Sequence, residues 1–117
     1  MNRKSLQEWI DIYSKKTGDT VVLNDPARHL FYLPERGFCQ LSIDRENSRL
    51  IIWEVCTNDG KFWRDFALME ADGQGLSSVR TTTTRNIKAY LRLFGGKDYR
   101  IGMANMIICN DQDGRMV

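Results

Sequence analysis

Leu50-Ile51-Ile52-Trp53-Glu54-Val55-Cys56-Thr57-Asn58-Asp59-Gly60-Lys61-Phe62-Trp63-Arg64 is the stretch on which the fold turns. Arg49–Thr57 is almost continuously apolar or β-branched, which predicts a strand. Asn58-Asp59-Gly60 is a turn signal that ends it. Phe62, Trp63, Phe66, Ala67 and Met69 then predict a helix over about Gly60–Ala71 with one packed face, closed by Gly73 and Gly75. A strand running through a short loop into a helix is half of a strand–helix–strand unit.

Towards the C-terminus, the β-branched content of Val79–Thr84 predicts the next strand. Arg85-Asn86 leads into a helix with Ile87, Tyr90, Leu91 and Phe94 at i, i+3, i+4 and i+7, stopped by Gly95-Gly96. Tyr99–Cys109 predicts a last strand, and Asn110–Gly114 a turn or frayed end. Towards the N-terminus, His29–Leu33, Phe38–Asp44 and Arg49–Thr57 are separated by the short breaks Pro34–Gly37 and Arg45–Ser48, as in an antiparallel meander. Thr20–Leu23 is short and β-branched, and Asn24-Asp25-Pro26 is a turn signal. Residues 5–16 predict a helix: Ser5 and Glu8 have capping-box spacing, Leu6, Trp9, Ile10 and Tyr13 follow at helical spacing, and Gly18 ends it. The resulting fold class is α/β (α+β), a mixed, largely antiparallel sheet covered by helices.

Composition sets outer limits. The 117 residues suit one domain spanning 1–117, and 42% apolar residues against 27% charged suffice for a core. A net charge of +2 is too small to imply nucleic acid or a membrane as partner. No apolar run approaches the roughly 20 residues that span a bilayer. The three cysteines, Cys39, Cys56 and Cys109, are scattered and odd in number, which argues against a disulfide framework. With no apolar leader after Met1-Asn2-Arg3-Lys4, a reducing cytoplasm is the expected location.

The segment Thr84-Arg85-Asn86-Ile87-Lys88-Ala89-Tyr90, with Gly95 after it, resembles the second cofactor-side helix of GNAT-type acyl-CoA N-acyltransferases, where Asn at the helix start is followed three residues later by Ala. It is also similar to small GNAT-like proteins carried by phages and prophages. The resemblance covers residues 50–102. It implies that Leu50–Thr57 is the family's long central strand, Asn58–Lys61 the splayed loop after it, and the following helix the one whose N-terminus holds the CoA pyrophosphate. Residues 1–49 are compatible with the fold and carry no signature. Two departures stand out. The family's phosphate loop, R/Q-x-x-G-x-G/A, has two glycines where Asn58–Arg64 has only Gly60, with Phe62 and Trp63 beside it and the negative Asp59 where an anion is expected. Lys61 and Arg64 are the compensating cations. The family's tyrosine acid falls on Leu93; Tyr90, one turn earlier, serves as acid candidate only if that helix is rotated. The family's final hairpin is expected to be clipped, leaving a sheet edge that a second copy can pair with.

Glu54 is the candidate general base, because a carboxylate in an apolar strand must be paired, protonated or facing a wet cleft, and burial raises its pKa towards the range a base needs. The competing reading is a solvent-facing edge residue or a partner for a nearby Arg. Val55, Cys56 and Thr57 are expected to offer backbone groups to a pantetheine arm; Asp59, Gly60, Lys61 and Phe62 line the implied phosphate loop. Asn86 either bonds the cofactor or caps its helix. Arg85, Lys88 and Arg92, together with Lys61 and Arg64, either bind the CoA phosphates or nucleic acid, the latter the weakest alternative, or form a plainly solvated basic face. Cys56 with His29, the sole histidine, is a remote nucleophile–base pair. Trp9, Trp53, Phe62, Trp63 and Phe66 are expected in the core, with Trp63 the one whose exposure would mark a partner site. Two functions follow: an N-acetyltransferase using acetyl-CoA on an unidentified small-molecule or protein amine acceptor, or a non-catalytic GNAT-like scaffold that binds another protein.

Overall fold

The computed structural model describes residues 3–83, 98–101 and 104–110. Helix α1 (Leu6–Thr17) begins as its sequence dictates. Ser5 Oγ accepts the Glu8 N–H at 3.1 Å and Glu8 Oε1 accepts the Ser5 N–H at 2.8 Å, so two of the helix's orphan donors are satisfied reciprocally. Gly18, at φ 78°, closes the other end in the left-handed conformation. Thr20–Leu23 forms no strand. Strands β1 (His29–Leu33), β2 (Gly37–Asp44) and β3 (Arg49–Cys56) make the expected antiparallel meander. Helix α2 (Gly60–Gly73) then crosses to β4 (Ser78–Thr83), which pairs parallel with β3. The helix expected from Asn86, with the residues 85–94 assigned to it, and the turn at 110–114 beyond Asn110 lie outside the described residues.

The C-terminal part departs from expectation. Tyr99–Cys109 is not one strand. It is an antiparallel pair, β5 (Asp98–Ile101) and β6 (Ala104–Asn110), in which Ile101 opposes Ala104. A continuous run of strand-forming residues hides the break; Gly102-Met103, the Gly-x pair favoured by two-residue hairpins, was its one sequence signal. The hairpin is therefore present rather than clipped. β6 lies between β4 and β5, giving the order β1-β2-β3-β4-β6-β5. The edges of the described sheet are β1 and β5.

Adjacent strand residues separate the two cores. Cys39, Leu41, Leu50, Ile52 and Val55 pack with Trp63, Ala67, Leu68 and Ala71 of α2. Phe38 and Cys56, their immediate neighbours in sequence, pack with Trp9 and Ile10 of α1 and with Val21. Because successive side chains leave a strand on opposite faces, α1 and α2 cover opposite sides of the sheet. Trp53 is the exception among the aromatics expected inside: it is 45% exposed, whereas Trp63 is buried. Strands β2 and β3 approach closely at Gly37, at φ 97°, where an added Cβ would lie 1.8 Å from the Cys56 carbonyl oxygen.

Gly37→Ala combines a strained backbone with a backbone clash, and is expected to cost about 3 kcal/mol. Urea denaturation of the variant checks this, with Gly73→Ala, whose added Cβ meets nothing within 4 Å, as the comparison expected to retain wild-type stability.

Candidate functional site

The site begins with a change of phase in β3. Leu41 opposes Ile52 and Gln40 opposes Glu54, so Trp53 is the extra residue of a β-bulge. Regular alternation from Leu50 and Ile52 would have sent Glu54 into the α2 core. The bulge puts Trp53 and Glu54 together on the α1 face and returns Val55 to the α2 core. The contacts agree: the Trp53 indole N–H donates to Ser42 Oγ at 2.8 Å, and Ser42 opposes Ile51 rather than Ile52.

Three side chains converge there. Arg28, from the segment that leads into β1, donates from Nη1 to Glu54 Oε2 at 3.0 Å. Its guanidinium also lies 4.3 Å from the Trp53 ring centroid, and its Nε is 3.6 Å from Asp25 Oδ2. Glu54 is nearly buried and Gln40 fully so. Gln40 Nε2 donates to the Val22 carbonyl at 2.8 Å, which turns its Oε1 away from Val22. Glu54 Oε1 and Gln40 Oε1 are both buried without a hydrogen-bond donor among the described residues. Burial raises the Glu54 pKa; Arg28 opposes that shift by charge and hydrogen bond, and the Asp19 carboxylate adds to it. Glu54 thus has the Arg partner that one sequence reading expected, and its proton affinity is still raised. Neither Arg28 nor Gln40 carried any local signal of this role. On the other face, burial first and the Glu54 charge second push the Cys39 thiol up to about 12, so it stays a thiol.

On its other side β3 leaves β4. The parallel ladder runs from Arg49–Ser78 to Ile52–Thr81 and stops, although β3 continues to Cys56 and β4 to Thr83. Phe38, Cys39 and Gln40 of β2 still oppose Cys56, Val55 and Glu54, so the parting is confined to the β4 side. Trp63 leans the other way: its indole N–H donates to the Arg36 carbonyl at 2.8 Å, and its ring meets Phe66, which packs on Phe31 of β1.

The loop after β3 is tied to the β1–β2 turn. Thr57 Oγ1 donates to the Arg36 carbonyl and accepts the Asp59 N–H at 2.8 Å. Asp59 is the N-cap of α2, accepting the Phe62 N–H at 3.2 Å. Arg36 lies 3.6 Å from Asp59 Oδ2 and stacks over Phe62 at 4.3 Å. Asp59 is thus a helix cap, not merely an ill-placed charge, and Asp three residues before Phe62 was the readable sign of it. Gly60 is buried and Lys61 exposed. Arg64, expected to face phosphate, is buried and bonds Asp65 at 3.0 Å; Arg36 is the cation that stands at this helix end instead. Val55 and Cys56 lie on the parted stretch and Thr57 just beyond it. His29 opposes Leu41 while Cys56 opposes Phe38; three strand residues, about 10 Å, keep that pair apart. Asn86 and Tyr90 lie outside the described residues. No described helix is long and apolar enough to cross a membrane.

No protein-family model, curated protein or solved structure matches the chain.

A raised carboxyl pKa in the folded state means that the unfolded chain ionises first, so stability is lost as pH rises from the ordinary glutamate range through the raised value. Glu54→Gln removes that contribution. The stability of the wild type relative to Glu54→Gln is expected to fall as pH rises above the ordinary glutamate range in urea melts; a difference that rises with pH would mean that Arg28 outweighs burial.

Proposed function

We propose that this chain is an acyl-CoA-dependent N-acyltransferase of the GNAT type, with acetyl-CoA as donor, in which Glu54 takes the proton of an amine acceptor. One observation carries the reading: β3 and β4 stop pairing after Ile52 and Thr81 while both strands continue, at the position where the resemblance puts the acyl-carrying arm. The β4-side backbone of Trp53–Cys56 is then available to the amides of a pantetheine chain, as an extended peptide would use a sheet edge. A final hairpin whose second strand lies inside the sheet agrees with the same family.

In this mechanism the acceptor nitrogen attacks the thioester carbonyl and gives its proton to Glu54, directly or through water. A backbone N–H in the Val55–Thr57 stretch holds the oxyanion. The carbon–sulfur bond then breaks, and the thiolate leaves and takes a proton. The raised proton affinity of Glu54 suits the base, and Arg28 must yield for the acceptor to reach it.

The α2 end does not fit a pyrophosphate. Asp59 already accepts the Phe62 N–H and sets a carboxylate where the phosphates would lie, so no step is derived through that helix end. This observation favours the second reading, a GNAT-like scaffold that binds another protein and has lost the donor.

Calorimetric titration with CoA and acetyl-CoA separates the two. For the enzyme, the wild type binds both, and Asp59→Asn tightens binding about tenfold, roughly the effect of one charge at about 5 Å in a half-hydrated site. Glu54→Gln keeps cofactor binding and loses transfer. Absence of binding to wild type and Asp59→Asn alike, at millimolar cofactor, would sink the acyltransferase and leave the scaffold.

A further inference from the structure

Gln40 and Glu54 set two buried side-chain oxygens on the same face of the sheet. Gln40 and Glu54 are direct cross-strand partners, with Cβ atoms about 5 Å apart in such a pair. Each has one buried side-chain oxygen without a hydrogen-bond partner among the described residues. With Glu54 ionised, the two oxygens are both acceptors and cannot satisfy one another, and a buried acceptor left without a donor is costly. Arg28 meets only part of this demand. It engages Glu54 through one nitrogen on Oε2, and its buried Nε has no hydrogen-bond partner. The Trp53 ring, 45% exposed, forms the wall against which that guanidinium lies.

We propose that Glu54 Oε1, Gln40 Oε1 and the face of Trp53 form a binding notch for a primary ammonium group, and that Arg28 is a resident plug which the ligand displaces. Three features select that head group. A primary ammonium is compact and carries three donors, enough for Gln40 Oε1 and both oxygens of Glu54. The planar guanidinium already present reaches only one of them. A quaternary ammonium can use the aromatic wall but has no proton to give either oxygen. Removing Arg28 leaves ionised Glu54 buried and uncompensated, and a cationic ligand restores that compensation where protonation of Glu54 would only neutralise the charge. The displaced guanidinium has a landing site in Asp25, 3.6 Å from its Nε and 40% exposed. Asp19 adds negative potential over Glu54. Arg28 precedes β1 in a segment without helix or strand, so its excursion disturbs no ladder.

This inference rests on Glu54 serving the acceptor side of the enzyme, but its test contains no acyl donor, so failure here and failure of CoA binding are seen separately. Methylammonium is the probe and tetramethylammonium the control, at matched ionic strength, with binding read as a thermal shift. Arg28→Ala is expected to be stabilised saturably by methylammonium and not by tetramethylammonium, with apparent affinity about tenfold above that of the wild type. Adding Gln40→Met to Arg28→Ala is expected to abolish the saturable part. In the wild type, which needs no variant to fold, methylammonium is expected to move the Trp53 indole N–H resonance. Those of Trp9 and Trp63, bonded to Pro34 and Arg36 carbonyls, stay in place. Equal responses to the two ammonium ions, equal affinity with and without Arg28, survival of binding in the Gln40→Met double variant, or an unmoved Trp53 indole would each overturn the proposal.

Discussion

One extra residue in β3 organises everything else in this molecule. The bulge at Trp53 lets a single strand serve two faces out of phase: Leu50 and Ile52 fill the α2 core before it, and Val55 rejoins that core after it. Between them, Trp53 and Glu54 are delivered to the α1 face. A carboxylate that strict alternation would have buried among aliphatic side chains instead meets Arg28 and Gln40. The strain and lost pairing of a bulge are tolerated because the phase shift avoids a far larger cost, an unpaired charge in an apolar core. The α1 core on one side and the α2 core on the other hold the strand so that its register has little freedom to slip.

The parting of β3 from β4 begins at the same place. Among the described residues, β3 beyond Ile52 pairs with β2 alone, and the start of β2 lies close against the end of β3 at Gly37. The β1–β2 turn is then fastened to the loop before α2 by the Arg36 carbonyl, which accepts from both Thr57 and Trp63. These bonds set where α2 starts, and Asp59 completes its first turn. A loop end whose Phe62 N–H is already capped by the Asp59 carboxylate is a sound way to start a helix and a poor cradle for phosphate. The two ends of the site therefore differ: Asp59 uses the Phe62 N–H beside the parted strands, while Glu54 and Gln40 on the α1 face each keep a buried oxygen without a hydrogen-bond partner among the described residues.

Most of the fold was legible because it is written in local patterns. Ser5, Glu8 and Gly18 bracket α1 through contacts no more than four residues long. The meander follows from short turns between β-branched runs, and α2 from its aromatic face and closing glycines. The hairpin escaped because Gly102 is a faint mark within a continuous apolar run. The site was harder for a different reason. Glu54 was conspicuous as a charge in an apolar strand, but a bulge has no sequence sign, so the exposure of Trp53 was hidden with it. Arg28 is 26 residues from Glu54, and Gln40 looks like any polar residue of a half-buried strand. Their meeting is decided by register, which no local pattern encodes.

A double-mutant cycle on Arg28 and Glu54, with Arg28→Met, Glu54→Gln and the double variant compared by urea denaturation near neutral pH, tests the bulge register most directly. If the bulge turns Glu54 to the α1 face, the two substitutions are coupled by about 1–3 kcal/mol, as for residues in direct contact. Additivity within about 0.3 kcal/mol would mean that Glu54 does not face Arg28, and would contradict the register on which the site rests.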